Sequence, residues 1–202
     1  MNKLKKHRGK IKNERGQSLV ELTISLIFIL ALLITLMEFG FMLNYYLSLV
    51  DGTREVSRLA SNWDPIAEPV AFYDAAVDQV RFVLEPRDAN DTSRKIQLRS
   101  DVDHLDDIIV STYSVSGGTA TLVGAQRHWS NNQASRLDPT EINSRLIGTA
   151  PDTGLVAIEI FYYYDQVLGL PWLAMLPDPV MLYAYTIMPL SATEPTPTPT
   201  GP

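Results

Sequence analysis

The sequence predicts an α+β fold, in which a long N-terminal transmembrane helix is followed by a small domain with an antiparallel β-sheet and packed helices. Residues 22–37 form an apolar run without a charge, which is typical of a membrane helix. Residues 70–84 repeat apolar side chains at helical spacing. The C-terminal half alternates apolar and polar residues as strands do, and Gly117-Gly118 is a hairpin signal.

The membrane helix begins this architecture. Sixteen uncharged residues give roughly 24 Å of helix, a little short of a bilayer core of about 30 Å. The predicted span therefore takes in Ser18–Val20 on one side and Phe39–Val50 on the other. The apolar stretch is longer than that of a cleaved signal peptide, and no small-x-small site follows it. We expect the helix to stay in the mature protein, with the lipid bilayer as its surroundings.

The charge distribution predicts the orientation of this helix. Of 17 Lys and Arg and 23 Asp and Glu, residues 1–16 hold seven and one, a net +6. The remainder holds ten and 22, a net −12. A basic end beside an acidic body favours membrane topology over nucleic-acid binding. The positive-inside rule predicts a single-pass protein of the cell (inner) membrane, with its N-terminus cytoplasmic and its C-terminal domain extracytoplasmic.

The helices of the domain are predicted from periodicity and capping. Pro65 and Pro69 end the stalk region, and Val70–Leu84 reads as an amphipathic helix. Its predicted buried face consists of Val70, Tyr73, Val77, Val80 and Leu84. Asp138 to Glu141 has a capping-box arrangement with proline at the first helical position, which predicts a short helix that closes near Gly148.

The strands follow from the change to a period of two. Lys95–Arg99 is a candidate short strand, and Ile108–Ser116 and Thr119–Val123 form a predicted hairpin with a primed turn. Leu155–Tyr164 is a strong strand candidate, with Val156 and the alternate residues after it on one face. Val180–Met188 is the last predicted strand.

Residue types that carry catalysis or hold cofactors are sparse. The chain has no cysteine, which excludes thiol chemistry and thiolate metal sites. The three histidines are far apart, and no known catalytic or phosphate-binding motif occurs. We interpret the acidic residues of 101–107 as a solvated turn; they are Asp101, Asp103, Asp106 and Asp107. The sequence predicts no enzyme, no metal and no cofactor.

The junction in front of the membrane helix resembles the processing site of type IV prepilins. Gly16 is followed by Gln17, and Glu21 is the fifth residue after the glycine. The resemblance implies that a prepilin-type peptidase cuts between Gly16 and Gln17. It also implies that Glu21 sets the register of neighbouring subunits by pairing with an N-terminal amine. Such a pair would lower the desolvation cost of both charges in a low-dielectric bundle.

Further along the helix the motifs resemble the TadE-like family of minor pilins, or pseudopilins, of tight-adherence (Tad) pilus systems. The matching residues are Arg15-Gly16, Val20-Glu21, Glu38-Phe39-Gly40, and Arg54-Glu55 with Arg58. The strands and apolar loop of residues 155–189 also look like the C-terminal half of that family. The resemblance implies a structural role in assembling a type IV pilus-related filament, with links to adhesion and secretion systems. It implies other pilin or TadE-like subunits and the Tad membrane assembly platform as partners.

Two motifs each have two possible interpretations. The segment with Arg54, Glu55 and Arg58 is either an exposed helix turn with internal ion pairs or a contact with a subunit or with lipid head groups. The apolar loop of residues 167–177 either folds over the sheet as core or is an exposed contact patch. The contact residues of that patch would be Leu170, Trp172, Leu173 and Met175.

The predicted organisation has four parts. They are a basic cytoplasmic leader (1–16), a transmembrane stalk helix (17–61), an extracytoplasmic α+β domain (62–190) and a disordered Thr/Pro tail (191–202). The function that the resemblance implies is that of a minor pilin or pilus-assembly component. The alternative is an uncleaved, single-pass, membrane-anchored extracytoplasmic protein for envelope assembly or adhesion.

Overall fold

The structure, a computed structural model, describes residues 14–65, 67–88, 90–91, 94, 96–173 and 177–191. Most of the basic leader and nearly all of the Thr/Pro tail lie outside the described residues. So does part of the apolar loop, including Met175.

The described chain contains three α-helices, five strands and one short 3₁₀ turn. The helices are α1 (Glu14–Ala60), α2 (Pro69–Leu84) and α3 (Pro139–Arg145). The strands are β1 (Asp107–Ser116), β2 (Thr119–Leu122), β3 (Arg127–His128), β4 (Thr153–Tyr164) and β5 (Val180–Pro189), and the 3₁₀ turn covers Pro171–Leu173. The predicted α+β class with an antiparallel sheet is confirmed.

The sheet is antiparallel, with strand order β2-β1-β4-β5, and β3 pairs with β1 beyond the end of β2. The long central pairs are β1 with β4, from Asp107↔Phe161, and β4 with β5, from Leu155↔Pro189. The β1–β2 hairpin turns at Gly117 (φ 56°) and Gly118 (φ 76°). These positive angles are those of the primed turn that the sequence predicted, and glycine adopts them without a steric cost.

The two faces of the sheet belong to different hydrophobic clusters. The alternate β4 residues from Val156 to Tyr164 face the larger cluster, together with Val80 of α2 and Val56 of α1. The opposite face carries a smaller cluster around Tyr113, whose hydroxyl donates to the carbonyl of Leu137. The predicted common face of β4 is confirmed.

The short helix α3 begins as predicted. The carboxylate of Asp138 accepts a hydrogen bond from the backbone N–H of Glu141 at 2.7 Å, and Pro139 is the first helical residue. This N-cap satisfies a donor that the first turn would otherwise leave unpaired. The helix ends at Arg145, three residues before Gly148.

Two details of the sequence interpretation are wrong. Within the described residues 96–99 there is no strand, and only an isolated bridge joins Ser100 to Leu105. Val70 does not face the core, since its side chain is 67% exposed, whereas Tyr73 and Val77 are buried. Val70 belongs to the first turn of α2, and the buried face of the helix begins only at Phe72 and Tyr73.

The chain divides into two compact units, Met1–Gly40 and Phe41–Pro202. In the described part of the first unit the structure is α1 alone. The second unit contains residues 41–60 of α1, the sheet and the other helices. Residues 17–60 of α1 are the one described segment that is long and apolar enough to cross a membrane.

Candidate functional site

The apolar surface of α1 is an extended candidate contact surface in the described part of the chain. From Leu19 to Leu47 most of its large apolar side chains are about half exposed or more, and Phe28 reaches 72%. A soluble monomer rarely exposes a contiguous apolar surface of this size. Residues 17–40 alone would extend for about 36 Å as a helix, enough for a bilayer core. This surface is suited to lipid or to other apolar helices.

The predicted processing junction lies near the start of this surface. Gly16 and Gln17 are in the first turn of α1, which begins at Glu14. Glu21 is exposed among apolar neighbours such as Val20 and Leu22, which are 57% and 69% exposed. No partner for the Glu21 carboxylate exists among the described residues. A partner from outside this chain is therefore compatible with the geometry.

The Glu38-Phe39-Gly40 motif combines one buried and two accessible positions. Glu38 is 4% exposed, so it is far more buried than the residues on either side of it in sequence. Phe39 is 53% exposed. A Cβ atom at Gly40 would meet nothing within 4 Å, so the glycine is not required by packing inside the chain.

The Arg54-Glu55-Arg58 motif lies on the exposed side of the last part of α1. Arg58 pairs with Glu55 at 2.9 Å, and Arg54 approaches Asp51 at 3.8 Å. Both arginine side chains are about two-thirds exposed. The ion pairs expected for an exposed helix turn are thus present. Exposed pairs of this kind add little stability, which leaves these side chains available for a contact.

The buried side of the same helix segment holds features that the motif analysis missed. A Cβ atom on Gly52 would lie 2.7 Å from Cδ2 of Leu84, so α1 and α2 approach closely at this glycine. The hydroxyls of Thr53 and Thr186 are 2.9 Å apart and link α1 to β5. The exposed motif residues and the residues that attach α1 to the domain therefore lie on different sides of the same helix segment.

The apolar loop of residues 167–177 is described only in part. Within the described residues, Val167, Leu168 and Trp172 are 38% to 56% exposed, and neither hydrophobic cluster includes them. Leu170 is half-buried, and the side chain of Leu173 is not described. The exposed aromatic ring of Trp172 fits the contact-patch interpretation, which stays a prediction.

The acidic segment is not a solvated turn throughout. Asp101 and Asp103 are exposed as expected, but Asp106 and Asp107 are fully buried. Asp106 accepts from the backbone N–H groups of Arg99 and Tyr163, both at 2.7 Å. Burial raises the pKa of Asp106 to about 6, although these hydrogen bonds oppose the rise. The prediction is wrong for these two residues because Asp107 opens β1, a central strand of the sheet, and Asp106 directly precedes it.

The buried carboxylates fasten the long segment between β3 and α3 to the sheet. Asp107 accepts from the backbone N–H groups of Ser130, Asn132 and Gln133, at 2.9 to 3.1 Å. Glu159 of β4 accepts from the N–H of Arg136 at 2.9 Å, and a hydrogen bond joins it to the hydroxyl of Ser135. These are structural roles. Among the described residues no group of His, Asp and Glu is arranged to hold a metal ion.

Comparison with known proteins agrees with the motif analysis along the helix. Residues 16–58 match the family described as TadE-like protein, which confirms the resemblance over that segment. The matched segment runs from the predicted processing glycine to Arg58 and includes Val20-Glu21, Glu38-Phe39-Gly40 and the Arg54-Glu55-Arg58 motif. No curated protein and no solved structure gives a significant match to the chain.

Proposed function

We propose that this chain, whose residues 16–58 match the TadE-like family, is a minor pilin or pilus-assembly component of a Tad-type pilus. The TadE-like match points to a pilus-associated, structural protein. The observation that carries the finer proposal is the exposed apolar surface of α1 directly after the Gly16–Gln17 junction. The stalk is anchored in the inner membrane, with the basic end in the cytoplasm and the α+β domain outside.

In this proposal the protein acts as a structural subunit during pilus assembly. A prepilin-type peptidase removes the basic leader after Gly16, and the assembly platform brings the stalk among other pilin helices. The exposed Glu21 then pairs with the new amine of Gln17 in a neighbouring subunit. A carboxylate surrounded by apolar side chains favours a charged partner, because an unpaired charge in a low-dielectric bundle is costly.

The mature N-terminus tests the processing step. We expect mass spectrometry of the membrane-extracted protein to show a chain that starts at Gln17 and retains the whole helix. A Gly16→Leu variant, which leaves the apolar run unchanged, should start at Met1. A wild-type chain that starts at Met1 would favour the alternative, an uncleaved anchored protein for envelope assembly or adhesion.

Glu21 tests the register step separately. Glu21→Ala should reduce co-purification with the other pilus subunits by about tenfold or more, since a buried ion pair would be broken. Membrane insertion should be retained, because the change makes the helix more apolar. Asp78→Ala, which removes an exposed carboxylate of α2 outside the stalk motifs, is the matched control and should assemble normally. Normal assembly of the Glu21→Ala variant would remove the register role.

A further inference from the structure

Strand β5 is an edge of the sheet, since among the described residues it pairs only with β4. The backbone N–H of Leu190 donates to the carbonyl of Gly154 at 2.8 Å, in continuation of the β4–β5 register. Because the direction of backbone groups alternates along a strand, even-numbered residues of β5 bond to β4 and odd-numbered ones point away. The outward-pointing backbone groups belong to Met181, Tyr183, Tyr185 and Ile187.

These outward groups carry no hydrogen bond to any residue that the structure describes. The opposite edge of the sheet is treated differently. There the side-chain amide of Asn143 accepts from the N–H of Ala120 at 2.6 Å and donates to its carbonyl at 3.1 Å. The amide thus occupies the place of a strand on β2. The β2 edge is therefore capped by a side chain at Ala120, whereas the β5 edge is open.

The sequence of β5 also lacks the usual protection of an open edge. Natural edge strands carry lysine, an inward charge, a bulge or proline, which prevent pairing with another chain. None of the ten residues of β5 is charged, and its only proline is the last residue, Pro189. The strand is instead rich in aromatic, β-branched and other apolar residues, which favour pairing.

The side chains beside the open edge indicate the chemistry of a partner. Tyr183 and Tyr185 stack with ring centroids 5.6 Å apart, and Tyr185 is 38% exposed. The exposed guanidinium of Arg136 lies 4.7 Å from the ring centroid of Tyr183. No carboxylate of the described residues is within ion-pair distance of Arg136. Tyrosine and arginine are the residue types that dominate many protein interfaces.

A second copy of β5 does not suit this edge. An antiparallel pair of β5 strands requires a two-fold axis perpendicular to the sheet. Such a pair would bring only uncharged residues to the edge, because none of the ten residues of β5 is charged. A second copy of the strand therefore supplies no carboxylate for Arg136.

We infer that the open edge of β5 receives an extended strand from a different protein, by addition to the sheet. The strand has apolar or β-branched side chains over Tyr183 and Tyr185 and a carboxylate opposite Arg136. Main-chain hydrogen bonds to the four outward residues supply the affinity, and the side chains supply the selectivity. This inference does not depend on the proposed pilus role.

Hydrogen exchange on the full chain in detergent tests the inference. The probes are a set of peptides of ten residues, the length of β5, in which valine and threonine alternate. Each peptide of the set carries a single glutamate, at a different position. At about 1 mM, at least one peptide should slow exchange of the four outward amides about tenfold, while the amides bonded to β4 stay protected throughout. The same peptide with alternate amides methylated should give no slowing. Failure of every peptide, or equal slowing by the methylated form, would overturn the inference.

Two pairs of variants separate main-chain pairing from side-chain docking. Tyr185→Pro removes an outward N–H without touching the β4 ladder and should abolish the slowing, whereas Tyr185→Thr should retain it. Arg136→Gln should lose the preference for glutamate over glutamine in the peptide and keep the slowing itself. Outward amides already protected in the free chain would assign the edge to a second copy. If that protection disappeared on removal of residues 192–202, the edge would belong to the chain's own tail, and either result would contradict the inference.

Discussion

Buried carboxylates hold the loops of the domain to its sheet. Asp106, Asp107 and Glu159 are each fully buried and each accept several N–H or O–H donors. These donors replace the hydrogen bonds to water that a carboxylate loses on burial, and a buried carboxylate without such partners would be costly. Sequence spacing could not separate Asp106 and Asp107 from the exposed Asp101 and Asp103, because burial here depends on where β1 enters the sheet.

A histidine near these carboxylates makes the stability of the domain depend on pH. Nδ1 of His104 lies 3.0 Å from Oδ1 of Asp101, and Nε2 of His104 lies 2.8 Å from Oδ1 of Asp165. Burial disfavours the imidazolium, but the hydrogen bonds to Asp165 and Asp101 outweigh it and raise the pKa of His104. A raised pKa means that the stabilisation is complete below the ordinary value near 6.5 and is lost as the pH rises through the folded-state value.

We therefore predict that His104→Gln costs about 1–2 kcal/mol at pH 5.5 and much less at pH 8.5. Urea unfolding of the full chain in detergent, followed by circular dichroism at both pH values, measures the difference. His128→Gln is a comparison at the other carboxylate-paired histidine, whose ring contacts only Asp107 among the described acidic residues. A pH-independent cost at His104 would show that its charge does not contribute.

At the scale of elements, the close approach of α1 and α2 depends on Gly52. Its absent side chain admits Leu84, which is buried at the end of α2. Gly40 in the same helix has open space in place of a Cβ contact. The sequence motifs drew attention to Gly40 and not to Gly52, because the contact of Gly52 is with a residue 32 positions away.

Gly52→Val should destabilise the domain by about 1–3 kcal/mol, since a branched side chain would be forced against Leu84. Thermal unfolding of the full chain in detergent measures this cost. Gly40→Val is the matched control and should change the unfolding temperature far less. Equal effects of the two substitutions would mean that helix propensity, rather than packing, is responsible.

The elements that the sequence predicted well are those with local signals. The β1–β2 hairpin has its glycine pair, α3 has its capping aspartate, and β4 has a run of alternating apolar residues. The failures, at residues 96–99 and at Val70, concern segments whose state is decided by contacts with distant strands. The same holds for the amide of Asn143 that caps β2, because no local sequence pattern predicts this contact.

At the scale of the molecule, the exposed apolar surface and the hydrophobic clusters belong to different units. The second unit, residues 41–202, contains both clusters and the whole sheet. Most of the apolar surface of α1 lies before residue 41. The domain should therefore not need lipid for its own core.

We predict that residues 41–202 fold as a soluble monomer without detergent, whereas the full chain requires detergent or lipid. Size-exclusion chromatography and circular dichroism of the two forms check this expectation. The shorter form should keep a cooperative unfolding transition. Aggregation of residues 41–202, or loss of that transition, would show that the first 40 residues are needed for the domain to fold.

The end of the described chain lies beside the end of α1, where Ser191 donates from its N–H to the carbonyl of Ser61 at 2.8 Å. Thr53 of α1 lies beside Thr186 of β5, so this part of α1 and β5 run in the same direction. A tension applied between residue 41 and residue 191 would therefore pull on opposite ends of two parallel elements. The load would be carried in shear, by the contacts that hold the two elements to the rest of the domain acting together, rather than by peeling one hydrogen bond after another. A domain attached to its surroundings at these two points is therefore built to resist stretching between them.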